Sequence, residues 1–93
     1  MSEFDDRYQE LRRRFVERCR EDLVVLEAAT RGAVEAHALR ATVHRLSGAA
    51  GTFGYPELSR LAGEVDDALI EDGEADGTQL AALVEAVRVL TCG

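Results

Sequence analysis

The residues best placed to do chemistry lie in one short run, His44-Arg45-Leu46-Ser47-Gly48 followed by Ala49-Ala50-Gly51-Thr52-Phe53-Gly54. A neutral imidazole nitrogen is a good nucleophile near neutral pH, because its unperturbed pKa is about 6.5. For that chemistry the ring must be reachable from solvent. Projected at ~100° per residue, Leu39, Val43, Leu46, Ala50 and Phe53 form a narrow apolar stripe, and His44 falls roughly 140° round the helix from its middle. Gly48 and Gly51, one and two turns further on, share the outer side with His44. An interior glycine costs a helix about 0.5–1 kcal/mol against alanine, so two beside one histidine call for a reason. Bare backbone leaves room for a phosphoryl group on the ring and for another protein's active site to approach it. Ala41, a turn before His44, and Val34, two turns further back, add small apolar contacts around that spot. On the residues alone, an inert surface histidine beside glycines that permit close helix packing fits as well.

Other reactive side chains offer less. His37 lies on the same outer face about two turns before His44, but it has no glycine a turn later and no leucine two positions on. Two histidines seven apart do not complete a metal site, and the apolar stripes show no inward-facing Glu and Glu-x-x-His pattern of a bundle metalloenzyme, so no metal is expected. Cys19 and Cys92 have neither metal-ligand spacing nor disulfide partners and read as free thiols. No glycine-rich nucleotide loop is present, so the chain is not expected to phosphorylate itself.

Four segments of helical periodicity must position these groups. The first, about 3–29, places Phe4, Tyr8, Leu11, Phe15, Cys19 and Leu26 on one face and Arg12, Arg13, Glu17, Arg20 and Glu21 on the other, a solvated charged surface. Thr30-Arg31-Gly32 is a short connection to the second, about 33–53. Gly54-Tyr55-Pro56 ends that segment, since proline starts a helix well and pushes the residue before it out of the helical region. The third, about 56–72, carries Leu58, Leu61, Ala62, Val65, Ala68 and Leu69; the fourth, about 78–90, carries Leu80, Leu83, Val84, Val87 and Leu90. Between them Asp72 to Gly77 reads as a polar loop in which Asp76 or Thr78 can cap the last helix. Four amphipathic helices on short loops bury their stripes together, and the expected fold is all-α, an antiparallel up-down-up-down four-helix bundle formed by residues 1–93 as one domain.

The bulk numbers agree with a folded protein that meets other proteins. A chain of 93 residues, 46% hydrophobic and 31% charged, suffices for one core. Its net charge of −7, from 18 acidic against 11 basic residues, disfavours nucleic acid. The basic residues are all arginine. No apolar run is long enough for a membrane span or a signal peptide, so a cytoplasmic protein is expected, with monomer the default. Met1 and the short tail favour a complete chain.

The run from His44 to Gly54 resembles the H-x-L-K-G signature, with a later glycine, of the histidine phosphotransfer domains. Length, helix count and the place of the histidine on the second long helix extend the resemblance over the whole chain. It implies a phosphocarrier that takes a phosphoryl group from, and returns it to, the aspartates of response-regulator receiver domains, with a hybrid histidine kinase as a further partner. The partner, not this chain, would bring Mg2+. Position by position, His44 matches the phosphoacceptor, Leu46 the core anchor behind it, Gly48 the clearance residue and Gly54 the helix-ending glycine. Gly51 would share the clearance, and Val34, Ala41 and Arg45 would meet the partner. Ser47 departs from the pattern, standing where the family usually has lysine. Its hydroxyl can donate to a phosphoryl oxygen, though a neutral donor is roughly half as strong as a charge-assisted one. Arg40, four residues before His44 on nearly the same face, can restore the positive charge, whereas Arg45 points further away. The competing reading is a helical adaptor that binds a receiver or kinase without carrying phosphate.

Overall fold

The computed structural model describes residues 2–92; Met1, on which the expectation of a complete chain rests, lies outside it, as does Gly93. The described residues form a helical bundle of α1 (Glu3–Thr30), α2 (Ala36–Thr52), α3 (Pro56–Asp72) and α4 (Gly77–Thr91), without strands. None of these helices is long and apolar enough to cross a membrane.

Local chemistry sets the boundaries. Ser2 accepts from the Asp5 backbone N–H at 3.2 Å, and Glu3, Asp5 and Asp6 place negative charge on the first turn of α1. That helix closes in a Schellman motif: Gly32, at φ +70°, donates to the Ala29 carbonyl and Ala33 to the Ala28 carbonyl, both at 3.0 Å. The closure uses up Arg31 to Ala33, so α2 begins at Ala36 rather than near residue 33. The same device ends α2, where Gly54 takes φ +85° and Tyr55 donates to the Ala50 carbonyl at 2.8 Å. Pro56 then opens α3. Of the two candidate caps for α4, Asp76 does the work, its Oδ1 accepting from Thr78 and Gln79 at 2.9 and 3.0 Å.

Leu26, Val43, Leu46, Val65, Leu83, Val87 and Cys19 are the largest fully buried side chains. Helix α2 packs most closely on α3, and α1 on α4. Two members of the expected α1 stripe fall outside the core, Phe4 at 75% and Leu11 at 40% exposed. The cause is length. At 28 residues α1 spans about 42 Å, nearly the whole 46 Å axis of the molecule. The Tyr8 hydroxyl reaches the carbonyl of Thr52, the last residue of α2, and Arg20 reaches that of Thr91, the last of α4. The first turns of α1 therefore run past the ends of their neighbours. Phe15, further in, is covered by Phe53 and Tyr55, with ring centroids 5.5 and 5.6 Å away.

Burial pushes the Cys19 thiol up from 9.0 to about 12, with the nearby Asp22 carboxylate adding to the shift and Arg45 opposing it. The unfolded chain would ionise this thiol first, so the folded state loses stability as pH climbs from 9 towards 12. We expect a thiol-reactive dye at pH 8 to label the exposed Cys92 at once and Cys19 only after denaturation. Urea titrations should show a smaller decline over the alkaline range in Cys19→Ala than in the parent.

Candidate functional site

Val43 and Leu46 are fully buried, which turns His44, between them on α2, outward. The His44 side chain is 71% exposed, yet one ring nitrogen is tied down: Nδ1 lies 2.9 Å from Oδ2 of Asp66 on α3. Asp66 is only 7% exposed. Its other oxygen, Oδ1, has Arg40 Nε 3.3 Å away as an ion pair without hydrogen-bond alignment, so His44 supplies the one hydrogen bond this carboxylate receives among the described residues. A carboxylate accepts and does not donate, so Nδ1 carries the proton and Nε2 keeps its lone pair. The opposite tautomer would set two acceptors against each other, and an unmet buried acceptor costs about 1–3 kcal/mol.

A short aspartate side chain reaches a ring on the next helix only if the two backbones come close, and the seam between α2 and α3 is built for that. The Ser47 hydroxyl donates to the Ser59 carbonyl at 2.9 Å, and the Ser59 hydroxyl donates to the Ser47 carbonyl at 2.8 Å. A Cβ on Gly51 would sit 3.4 Å from Ser59 Oγ, and one on Gly63 would sit 3.5 Å from Ser47 Oγ. Two sequence expectations change accordingly. Ser47 does not face the phosphoryl position, because its hydroxyl is committed to α3. Gly51 clears space for Ser59 rather than for an incoming protein. Gly48 is different: nothing lies within 4 Å of a Cβ placed there, so it opens onto free space.

On the opposite flank of α2, Arg45 is not idle. Its Nη2 lies 2.5 Å from Oδ1 of Asp22 on α1, a carboxylate only 3% exposed that Arg18 Nε also approaches at 3.7 Å. Arg45 and Ala41 line a groove between α1 and α2 with Arg18, Glu21, Val25 and Thr42. Val34 does not join them. It precedes α2, is partly buried against the core, and lines a separate cleft with Ala29, Leu39, Leu69 and Leu80. His37 is 81% exposed and meets only Glu35, at 3.4 Å, a residue as exposed as itself. Nothing buried aims its ring. Among the described residues no three His, Cys, Asp or Glu side chains converge to hold a metal ion.

The two buried aspartates were not anticipated, although the sequence carries a signal for both. The buried positions of α1 run Phe15, Cys19, Asp22, Leu26, so Asp22 occupies a slot where the spacing calls for an apolar residue. Asp66 sits likewise among Ala62, Val65 and Leu69 on α3. A charge in an apolar register has to be met by a partner, and each of these is met from α2.

The model of the Hpt domain family matches residues 10–90 of the 93, and the chain belongs to that family. Hpt domains have a histidine phosphotransfer role in two-component systems, act as phosphocarriers rather than catalysts, and interact with receiver domains and kinases. No significant match is found among curated proteins or among solved structures.

The placements of Gly48 and Ser47 separate in two variants. Gly48→Ala should stabilise the fold by about 0.5–1 kcal/mol in urea titrations, since its Cβ meets nothing, while slowing transfer with a receiver. Ser47→Ala should cost about 0.5–1.5 kcal/mol of stability through its lost bond to Ser59 and leave the transfer rate near that of the parent.

Proposed function

We propose that this chain relays a phosphoryl group between the aspartates of response-regulator receiver domains, with Nε2 of His44 as the carrier atom. The observation that carries the reading is the state of the His44 ring: largely in solvent, held at Nδ1 by a buried carboxylate, with the second nitrogen left as the nucleophile. An exposed ring that is also aimed is unlike the exposed, unanchored His37. Gly48 gives the incoming active site its clearance, and Ala41 and Arg45, beside the groove between α1 and α2, meet the partner's surface. Arg40 stands in for the family's lysine, its guanidinium half exposed and within 3.3 Å of Asp66. Positive charge there would offset charge on the transferring group, as the partner's Mg2+ would on the receiver side. The chain itself uses no cofactor and has no kinase activity of its own.

The bundle that presents the site is, in this reading, one domain in the up-down-up-down antiparallel arrangement. Support comes from pairings that run in opposite senses: Tyr8 with Thr52, Ser47 with Ser59, His44 with Asp66, and Glu27 and Arg20 with Arg88 and Thr91. We place the protein in the cytoplasm as a monomer, meeting receivers and a hybrid histidine kinase there.

Incubation with a phosphorylated receiver tests the proposal. The chain should acquire an acid-labile, alkali-stable label, and His44→Gln should abolish it. A label that persists in His44→Gln moves the carrier elsewhere. A chain that binds receivers yet is never labelled is the helical adaptor instead.

A further inference from the structure

The bond between His44 and Asp66 bears on more than the readiness of the nucleophile. Resting on the reading of His44 as the carrier, we infer that Asp66 is a positioning residue that keeps one proton on Nδ1 throughout, so that the phosphoryl group is both gained and lost without any proton moving.

Consider the two directions in turn. In the gain, the Nε2 lone pair attacks the phosphorus of an aspartyl phosphate. The bond from phosphorus to the donor's carboxylate oxygen breaks, its electron pair leaving with that carboxylate. The ring now bears a P–N bond at Nε2 and a proton at Nδ1, and is positively charged. In the loss, a carboxylate oxygen of the acceptor attacks, the P–N bond breaks and its pair returns to Nε2. The departing group is then neutral imidazole, still protonated at Nδ1. Had Nδ1 been bare, the departing group would have been an imidazolide anion, a far poorer leaving group. The proton position that makes Nε2 a nucleophile is thus the one that makes it a leaving group.

The surroundings hold that position. Asp66 is nearly buried, its Oδ2 faces Nδ1 at 2.9 Å, and its Oδ1 has no hydrogen bond, so the carboxylate has no second donor to turn to. The seam of Ser47, Gly51, Ser59 and Gly63 fixes its distance from the ring. A fixed negative charge on the far side of the ring also offsets the positive charge that develops there during the gain, as preorganised groups do for charge that appears in a transition state. Arg40, on Oδ1, faces the same carboxylate without touching the ring nitrogen.

Nitrogen-15 spectra of the imidazole, recorded before and after phosphorylation, test this together with transfer rates measured from a phosphorylated receiver and back to an unphosphorylated one. In the parent, Nδ1 should show the protonated type of shift in both forms, and Nε2 the lone-pair type before labelling. In Asp66→Ala the unlabelled ring should move towards the Nε2–H form that free histidine favours, and the rates in both directions should fall together, on the order of 10-fold or more. An Asp66→Ala ring that keeps its proton on Nδ1, or a loss confined to one direction, would overturn the inference. If Asp66→Ala fails to fold, the parent spectrum still decides, because a proton found on Nε2 there is incompatible with it. Normal labelling on His44 with such a spectrum removes this inference alone; absence of labelling, or labelling that survives His44→Gln, removes the phosphocarrier reading beneath it.

Discussion

A carboxylate taken almost out of water has to be answered, and in this protein the answer to Asp66 organises the site. Desolvating an ion costs several kcal/mol, and removing one partner of a buried pair typically costs about 3–5 kcal/mol because the other is left uncompensated. Asp66 is met only from α2, by a hydrogen bond from His44 and by the charge of Arg40. The helix cannot turn on its axis without breaking that arrangement. Asp22 repeats the constraint from the other flank, holding Arg45. Neighbouring residues on a helix lie ~100° apart, so Asp22 and Asp66, pulling on Arg45 and His44, fix the rotation of α2 more tightly than its apolar stripe can. Hydrophobic contacts decide that α2 is in the bundle; the two acids decide how it faces.

How much of this was legible in the sequence depended on whether the information lay along one helix or between two. The exposure of His44 followed from its angle to Val43 and Leu46, which is a property of α2 alone, and the helix breaks at Gly54 and Pro56 were equally local. The start of α2 was missed because a Schellman closure reads as a few ordinary residues after a glycine, and it carried Val34 off the helix face onto the core. Phe4 and Leu11 obeyed the stripe and still ended outside, because periodicity reports direction and says nothing of where a neighbouring helix stops. Ser47 and Gly51 point to roughly the side expected, but the space they point into belongs to α3. Asp66 was hidden for a related reason. A charge within an apolar register announces that a partner exists, without saying which helix supplies it.

The distribution of charge carries its own lesson. A net charge of −7 describes the molecule, yet the immediate neighbours of His44 on α2 are Arg40 and Arg45, each anchored on a buried acid. Average composition and local field therefore differ in sign around the ring. Such a pattern suits an approach by another acidic centre, whose repulsion by the whole is opposed at short range by the few cations that meet it.

That the residue aiming the ring belongs to α3 also changes what an α2 signature can be asked to preserve. Chemical competence is delegated to a helix distant in the chain, and the motif around the histidine is relieved of part of its duty. Position 47 illustrates the freedom gained: serine there serves as a spacer between backbones instead of as a companion to phosphate. Divergence within such a lineage would then be recorded less in the short signature than in paired changes linking position 44 and its flank to position 66.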